Sequence, residues 1–449
     1  MTRSMVSKKA ILALGLSAFV VSGCGDRELI LEGERLDLRA DLSAPDTALD
    51  AGDAAEQADA PRVLSLRAPV VNDAWTHRFG SAQHQINHPA LGADLSLAWS
   101  ANIGQGDTRK QRITADPVVA GGTIFTLDSA ATVTATSSNG ASLWQRDLTP
   151  ASDRSGDASG GGLAVASDTL FVTTGFGALT AIDVATGETR WSQDLDAPTS
   201  GAPTVAEGIV YVIAGNAIAW AVDARNGRVK WTQSGLPSAS DVVGGAAPVV
   251  AGDLAVFAFS NGDVRATFKR GGIRRWDTSL SGERKGRSYA TVKDVTSDPV
   301  VSEGRIYLAT QSGRMAALDA QNGERLWTAT EGALSPVWPA GDSIFFVSDQ
   351  AELLRVDAKT GERIWGVDLP YFEKERDRRK KAVFSHYGPI IAGGRLIVAS
   401  NDGTMRSFDP TTGQALGVVS IPGGATTNPA VANETLYVVS TGGKLHAFR

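Results

Sequence analysis

Chemistry in a sequence starts with nucleophiles, metal ligands and phosphate-binding loops, and this chain offers few. Its single cysteine, Cys24, could be a nucleophile, a metal ligand, half of an intermolecular disulfide or a site of covalent modification. His77, His84 and His88 fall within twelve residues, a spacing open to a metal. No second cysteine or carboxylate cluster joins them, so cap or surface histidines are the plainer reading and no metal is expected. Gly160-Gly161-Gly162 and "GFGALT" (175–180) look phosphate-like, yet no Gly-Lys-[Ser/Thr] follows either. Neither Gly-x-Ser-x-Gly nor His-Glu-x-x-His occurs, which leaves hydrolytic enzymology without residues. The 43 basic and 49 acidic residues give a net charge of −6, which disfavours nucleic acid as a partner.

The surroundings of Cys24 decide its chemistry. Arg3, Lys8 and Lys9 precede a mostly apolar run from Ala10 to Val21. That run is short of the roughly 20 residues a bilayer span needs, and it has the layout of a secretory signal. It closes in Val21-Ser22-Gly23-Cys24, which resembles the lipobox of bacterial lipoproteins. The resemblance implies acylation of the thiol and cleavage before it, with Gly25 rather than Asp in the position that retains lipoproteins at the inner membrane. Residues 1–23 then form the signal peptide, Cys24 carries the lipid, and the outer membrane is the destination. Residues 24–72 read as a tether: "ADLSAPDTALDAGDAAEQADAPR" (40–62) has no aromatic residue and cannot bury enough apolar surface to offset its ordering entropy.

Residues 73–449 are built on a repeat. Trp144, Trp191, Trp231, Trp276, Trp327 and Trp365 each follow a glycine by four residues, and a seventh copy, Gly413, has Gly417 where tryptophan would stand. The copy beginning at Pro299 resolves into "PVV", "IYLAT", "RMAALD" and "ERLWTA", four short strands rich in β-branched and aromatic residues and separated by Gly and Asn turns. A period of this size with four strands per copy predicts an all-β fold, an eight-bladed β-propeller of four-stranded antiparallel blades. The last copy, from Pro429, supplies only three strands, and Trp99 in "LSLAWSANIG" marks a fourth strand without its first three. Pairing the two closes the ring without leaving a free edge at the seam. In Asp-x-x-[Thr/Asn]-Gly-x-x-x-Trp, the Gly suits a positive-φ turn, the Asp caps that turn and the Trp covers a blade junction.

At these residues the sequence resembles the pyrroloquinoline-quinone-type propellers. Their catalytic members hold a quinone with vicinal cysteines and calcium, and a chain whose one cysteine lies in the lipobox cannot form that disulfide. A quinoprotein-like enzyme or ligand-binding module in the periplasm is therefore the alternative reading. The closer resemblance is to the outer-membrane assembly factor B (BamB) family, lipoproteins of this fold, and it extends to "ERLDLR" (34–39) and "AWTHRFGSAQHQ" (74–85). It implies a non-catalytic, cofactor-free scaffold of the β-barrel assembly machine, facing the periplasm and docking on the POTRA repeats of the barrel subunit. Unfolded outer-membrane proteins would be a second partner, held at blade edges by β-augmentation. Carried over by position, the docking loops place Val242 and Val243 (before Gly244 and Pro248) and Asp294 and Thr296 (before Pro299) at the partner. The connections 277–298 and 366–388 are long, and the second carries the charge run "EKERDRRKK" (373–381), suited to a solvated loop or to an acidic partner or head group.

Overall fold

The computed structural model describes residues 62–449 except 200, 239–243, 281–291, 293 and 375. Cys24 and the signal segment lie outside the described residues. Eight four-stranded antiparallel sheets follow one another as the blades of a β-propeller. Seven are consecutive in the chain, and the eighth pairs the first strand, β1 (Leu97–Asn102), with the last three, β30 (Ala430–Ala432), β31 (Thr435–Ser440) and β32 (Lys444–Phe448). The β1–β32 register runs from Leu97 opposite Phe448 to Asn102 opposite Lys444, and Ser96 and Arg449 exchange backbone hydrogen bonds of 2.7 and 3.0 Å just beyond it. The closure expected from the unmatched first and last strands is the observed one.

Each blade is graded by depth. The second and third strands are almost wholly buried, whereas the outermost alternate between exposed and half-buried, as Thr189–Asp194 and Val229–Ser234 do. Between third and fourth strands the repeated Asp holds a tight turn: Asp319 Oδ1 accepts from the amides of Gln321 (2.9 Å) and Asn322 (3.1 Å), and Gly323 takes φ 74°. The next step is steric. A β-carbon on Gly272 would lie 2.6 Å from the Trp231 ring, and six further glycines, Gly140, Gly187, Gly227, Gly323, Gly361 and Gly413, are covered the same way by the tryptophan of the preceding blade. Six of those seven indoles also donate to a backbone carbonyl of the covered turn, at 3.0–3.2 Å. The belt stops at one junction. Blade eight has no turn between its third and fourth strands, because its fourth strand is β1, and at Gly417 a β-carbon would meet nothing within 4 Å.

Residues 62–94 lie against the ring. Residues 62–72, placed in the tether by composition, are fastened to it: Arg62 pairs with Asp342 and Asp357, Arg355 donates to the Arg62 carbonyl (2.8 Å), and Leu64 and Leu66 pack on the core. The described fold thus begins before residue 73. The same segment then closes the central channel, touching in each blade the innermost strand or the turn that follows it. Trp75 exchanges two 2.8 Å backbone bonds with Val119 of blade one, and the Thr76 carbonyl accepts from Val165 of blade two. His77 accepts from Val205 of blade three, and the carbonyls of Ala82 and Gln83 accept from Val250 and Val301 of blades four and five, each at 3.0 Å. Pro89 and His88 take the amides of Gly393 (2.9 Å) and Gly394 (2.8 Å) in blade seven, and Asn72 brackets blade eight through Asn433 (2.7 Å) and Val431 (2.6 Å).

Blade six is the exception that explains the rule. Its register places Pro339, opposite Ile344, where the other blades have Val119, Val205, Val250 or Val301. Proline has no amide to offer. The contact there is aromatic instead: Trp75 stacks on Trp338 with ring centroids 6.3 Å apart, and Phe79 lies at 5.9 Å.

The belt makes an asymmetric prediction. Gly272→Ala puts a side chain on a positive φ and into the Trp231 ring, and should cost about 2 kcal/mol or more in urea titration. Gly417→Ala, in a strand with open space, should be neutral or stabilising by about 0.5 kcal/mol. Equal costs at the two positions would contradict the steric account.

Candidate docking face and central funnel

Antiparallel blades give the ring two mouths. The short turns between first and second strands, with Gly341, Gly393 and Asn433, form the mouth at which residues 62–72 and 88–90 sit. The connections between blades form the other mouth, around a funnel of about 540 Å³. Its floor is Arg78, whose Nε lies 2.9 Å from Asp116 and 3.1 Å from Asp298. Asp116 also accepts from the Asn428 backbone (2.8 Å) and side chain (2.9 Å), and Asp298 from the Ala247 amide (2.8 Å). Blades on opposite sides of the axis are thereby pinned to one guanidinium. Burial raises both carboxyl pKa values against the pull of Arg78, as expected for two carboxylates sharing a single buried cation. For Arg78, burial works against the charge, but Asp298 and Asp116 more than offset it and hold its pKa above the ordinary value.

The three histidines are structural pegs and are buried rather than on the surface. His77 Nε2 accepts from Val205, so its proton sits on Nδ1, 2.8 Å from the Thr76 hydroxyl. His88 donates from Nδ1 to the Arg67 carbonyl (2.7 Å) and accepts at Nε2 from Gly394. His84 donates from Nδ1 to the Pro299 carbonyl (2.8 Å). Two of the three lone pairs a metal would need are spent on blade amides, and among the described residues no group of three or more His, Cys, Asp or Glu could hold a metal ion.

Of the residues assigned to docking by resemblance, Val242 and Val243 lie outside the described residues. Asp294 and Thr296 are 3% and 6% exposed. Thr296 donates to the Ala333 carbonyl (2.7 Å) on the funnel wall, and Asp294 lines a small gap shared with Gly201, Gly215 and Gly245 of the neighbouring blades. In this conformation the two side chains shape their loop. Exposed apolar surface at the same mouth comes from Leu334, Phe372 and Val383, 51%, 36% and 44% exposed. The run 373–381 is the tip of an arm whose base is paired through Phe372 and Val383. Exposed Arg378 and Arg379 lie in a short 3-10 turn, exposed Lys380 and Lys381 follow it, and Lys380 Nζ lies 5.4 Å from the Phe372 ring centre.

Sequence reasoning missed Arg78 and its partners. A signal was present: Asp116, Asp298 and Asn428 each directly precede the proline that opens an innermost strand, where other copies have Ala, Ser or Gly.

The family model described as outer membrane protein assembly factor BamB matches residues 129–367. The chain belongs to this family. Curated relatives of that name are similar over part of their length: that of Legionella pneumophila (strain Paris) is 24% identical over 44% of this chain and 49% of its own, and that of Alteromonas naphthalenivorans 32% over 56% and 63%. The chain thus spans about half to three-fifths of the length of those two relatives. Among solved structures, BamB from Moraxella catarrhalis superposes with a TM-score of 0.64 at 18% identity, covering 79% of this chain and all of that one. Quinohemoprotein alcohol dehydrogenase from Comamonas testosteroni also reaches 0.64, at 16% identity, over 84% and 80%. Both show the fold.

The residues of the funnel do not suit the quinone that such dehydrogenases imply. Pyrroloquinoline quinone is a tricarboxylate, whereas the funnel is lined by Asp107, Asp116 and Glu373 against Arg78 and Arg112. The oxygens of Asp116 are already engaged by Arg78 and Asn428. Cys24, the one cysteine, precedes the propeller and cannot supply a vicinal pair.

Burial depresses the pKa of His77 to about 3 and that of His84 to about 4, with the charge of His84 adding to the effect on His77 and that of Arg78 to the effect on His84. Both lie below the unfolded value near 6.5, so the folded chain binds fewer protons. The stabilisation is complete above pH 6.5 and is lost as pH falls toward 4 and 3. His77→Gln keeps an acceptor for Val205 without the titration, and should shrink the stability lost between pH 7 and 4.5 by about 2 kcal/mol relative to wild type. Identical acid profiles for the two proteins in urea titrations would contradict this role.

Proposed function

We propose that this protein is a non-catalytic scaffold of the outer-membrane β-barrel assembly machinery. It docks its interblade loops on the periplasmic POTRA repeats of the barrel subunit and is held to the outer membrane by lipid on Cys24. The observation that carries the reading is membership of the assembly-factor family together with the character of one mouth. There, connections from successive blades converge, apolar Leu334, Phe372 and Val383 are exposed, and a basic arm projects beside them. A rigid ring is suited to presentation: its loops are held by blade packing rather than ordered on binding, which lowers the entropic cost of association. Buried Asp294 and Thr296 set the shape of their loop, and Val242 and Val243 supply apolar contact in the adjacent one.

Association should be measured between the full-length protein and the isolated periplasmic repeats. Binding at micromolar concentration is expected, and Val242→Glu with Leu334→Glu should weaken it at least tenfold at unchanged melting temperature. No association of the wild type would overturn the docking reading. Cys24→Ala should leave the propeller's circular dichroism and melting unchanged while moving the protein from the membrane to the soluble fraction; retention in the membrane would contradict the anchor.

A further inference from the structure

The tryptophan belt leaves one blade edge unlike the rest. Seven outermost strands carry a tryptophan, and six of these also carry charged residues, as in Ser142–Asp147 and Arg274–Ser279. Charges on an edge strand keep other chains from pairing with it. The outermost strand of blade seven, β29 (Ala415–Ser420), has neither. Its sequence "ALGVVS" pairs with the third strand of its own blade, Thr404–Phe408, and with no other strand among the described residues. Leu416 is 56% exposed and Val418 63%. The position of Val418, just after the tryptophan site, is Ser, Gln, Thr, Asp or Gly in the other seven blades.

The cause is the ring closure. A tryptophan at 417 would have no turn to cover, since the third and fourth strands of blade eight, β32 and β1, are joined by none, and a side chain there would meet open space. The seam that joins the ring therefore creates an unprotected edge beside it. Its backbone groups, its two apolar side chains and its lack of charge select the same occupant: an extended segment that is uncharged and alternates apolar with polar residues. Strands of transmembrane barrels have this pattern, about ten residues long with aromatic residues near their ends. An aromatic side chain placed across from Gly417 would fill the space the missing tryptophan leaves.

We propose that β29 is a β-augmentation site for an unpaired strand of an outer-membrane barrel protein, paired in register so that an aromatic residue covers Gly417. This rests on the assembly-factor reading and names the client-binding edge within it. The surface is separate from the interblade mouth, so partner docking and strand capture are compatible.

The test uses the full-length protein carrying photoreactive benzoylphenylalanine at Val418 or, for comparison, at Gln145, the same place in blade one. A urea-unfolded eight-stranded barrel precursor is added on dilution. Cross-linking at 418 should exceed that at 145 at least fivefold, and should drop severalfold when Gly417→Trp or Leu416→Lys is added, with melting temperature and binding to the barrel subunit's periplasmic repeats unchanged. Equal yields at the two positions, yields unaffected by both substitutions, or cross-links joining two copies of this chain would each overturn the proposal. Loss of binding to the periplasmic repeats by the wild type would instead count against the docking reading.

Discussion

A ring of blades has an inner edge problem. Each innermost strand is hydrogen-bonded to another strand on one side only, and its other side faces the central channel. A buried amide left without an acceptor costs on the order of 1–3 kcal/mol. Here residues 72–90 take up the amides of Val119, Val165, Val205, Val250 and Val301 in innermost strands, and of Gly393, Gly394 and Asn433 in the turns that follow those of blades seven and eight. Blade six, with Pro339 in place of an amide, receives the Trp75–Trp338 stack. The rest of the molecule depends on this fit, because the same segment delivers Arg78 to Asp116 and Asp298 and so makes the floor of the funnel.

The outside of the ring obeys a different rule. There a tryptophan from one blade covers the glycine turn of the next, and the register depends on that turn having no side chain. The two systems meet at the seam between first and last strands. Closure by strand pairing removes the turn of blade eight, and with it any use for a tryptophan at 417. One economical way to shut the ring thus explains an irregularity in the repeat one blade away from the seam.

This division accounts for what could be read from the residues. The blades were legible because short strands, Asp-capped turns and the Gly-to-Trp spacing recur in fixed phase, and the unmatched strand at Trp99 pointed to the closure. The plug was not, because it has no period: Thr76, Ala82, Gln83 and Pro89 act through their carbonyls, which any residue supplies. His77, His84 and His88 read as surface or cap residues because the blade groups they bond are distant in sequence, and composition alone placed 62–72 with the tether. At the interblade mouth, position within the repeat placed Asp294 and Thr296 in a connection between blades, whereas their burial was shown by no one-dimensional pattern.

Function follows from keeping these layers apart. The plug and belt absorb the polar and steric demands of a closed ring, and the exposed basic arm and the β29 edge lie outside both. The claim that the plug organises the whole ring is tested most directly by hydrogen exchange on full-length Trp75→Ala. The account predicts faster exchange in the innermost strands of blades four and five, at Val250 and Val301, which Trp75 does not bond, as well as in blades one and six. Faster exchange confined to blades one and six, with Val250 and Val301 as protected as in wild type, would contradict it.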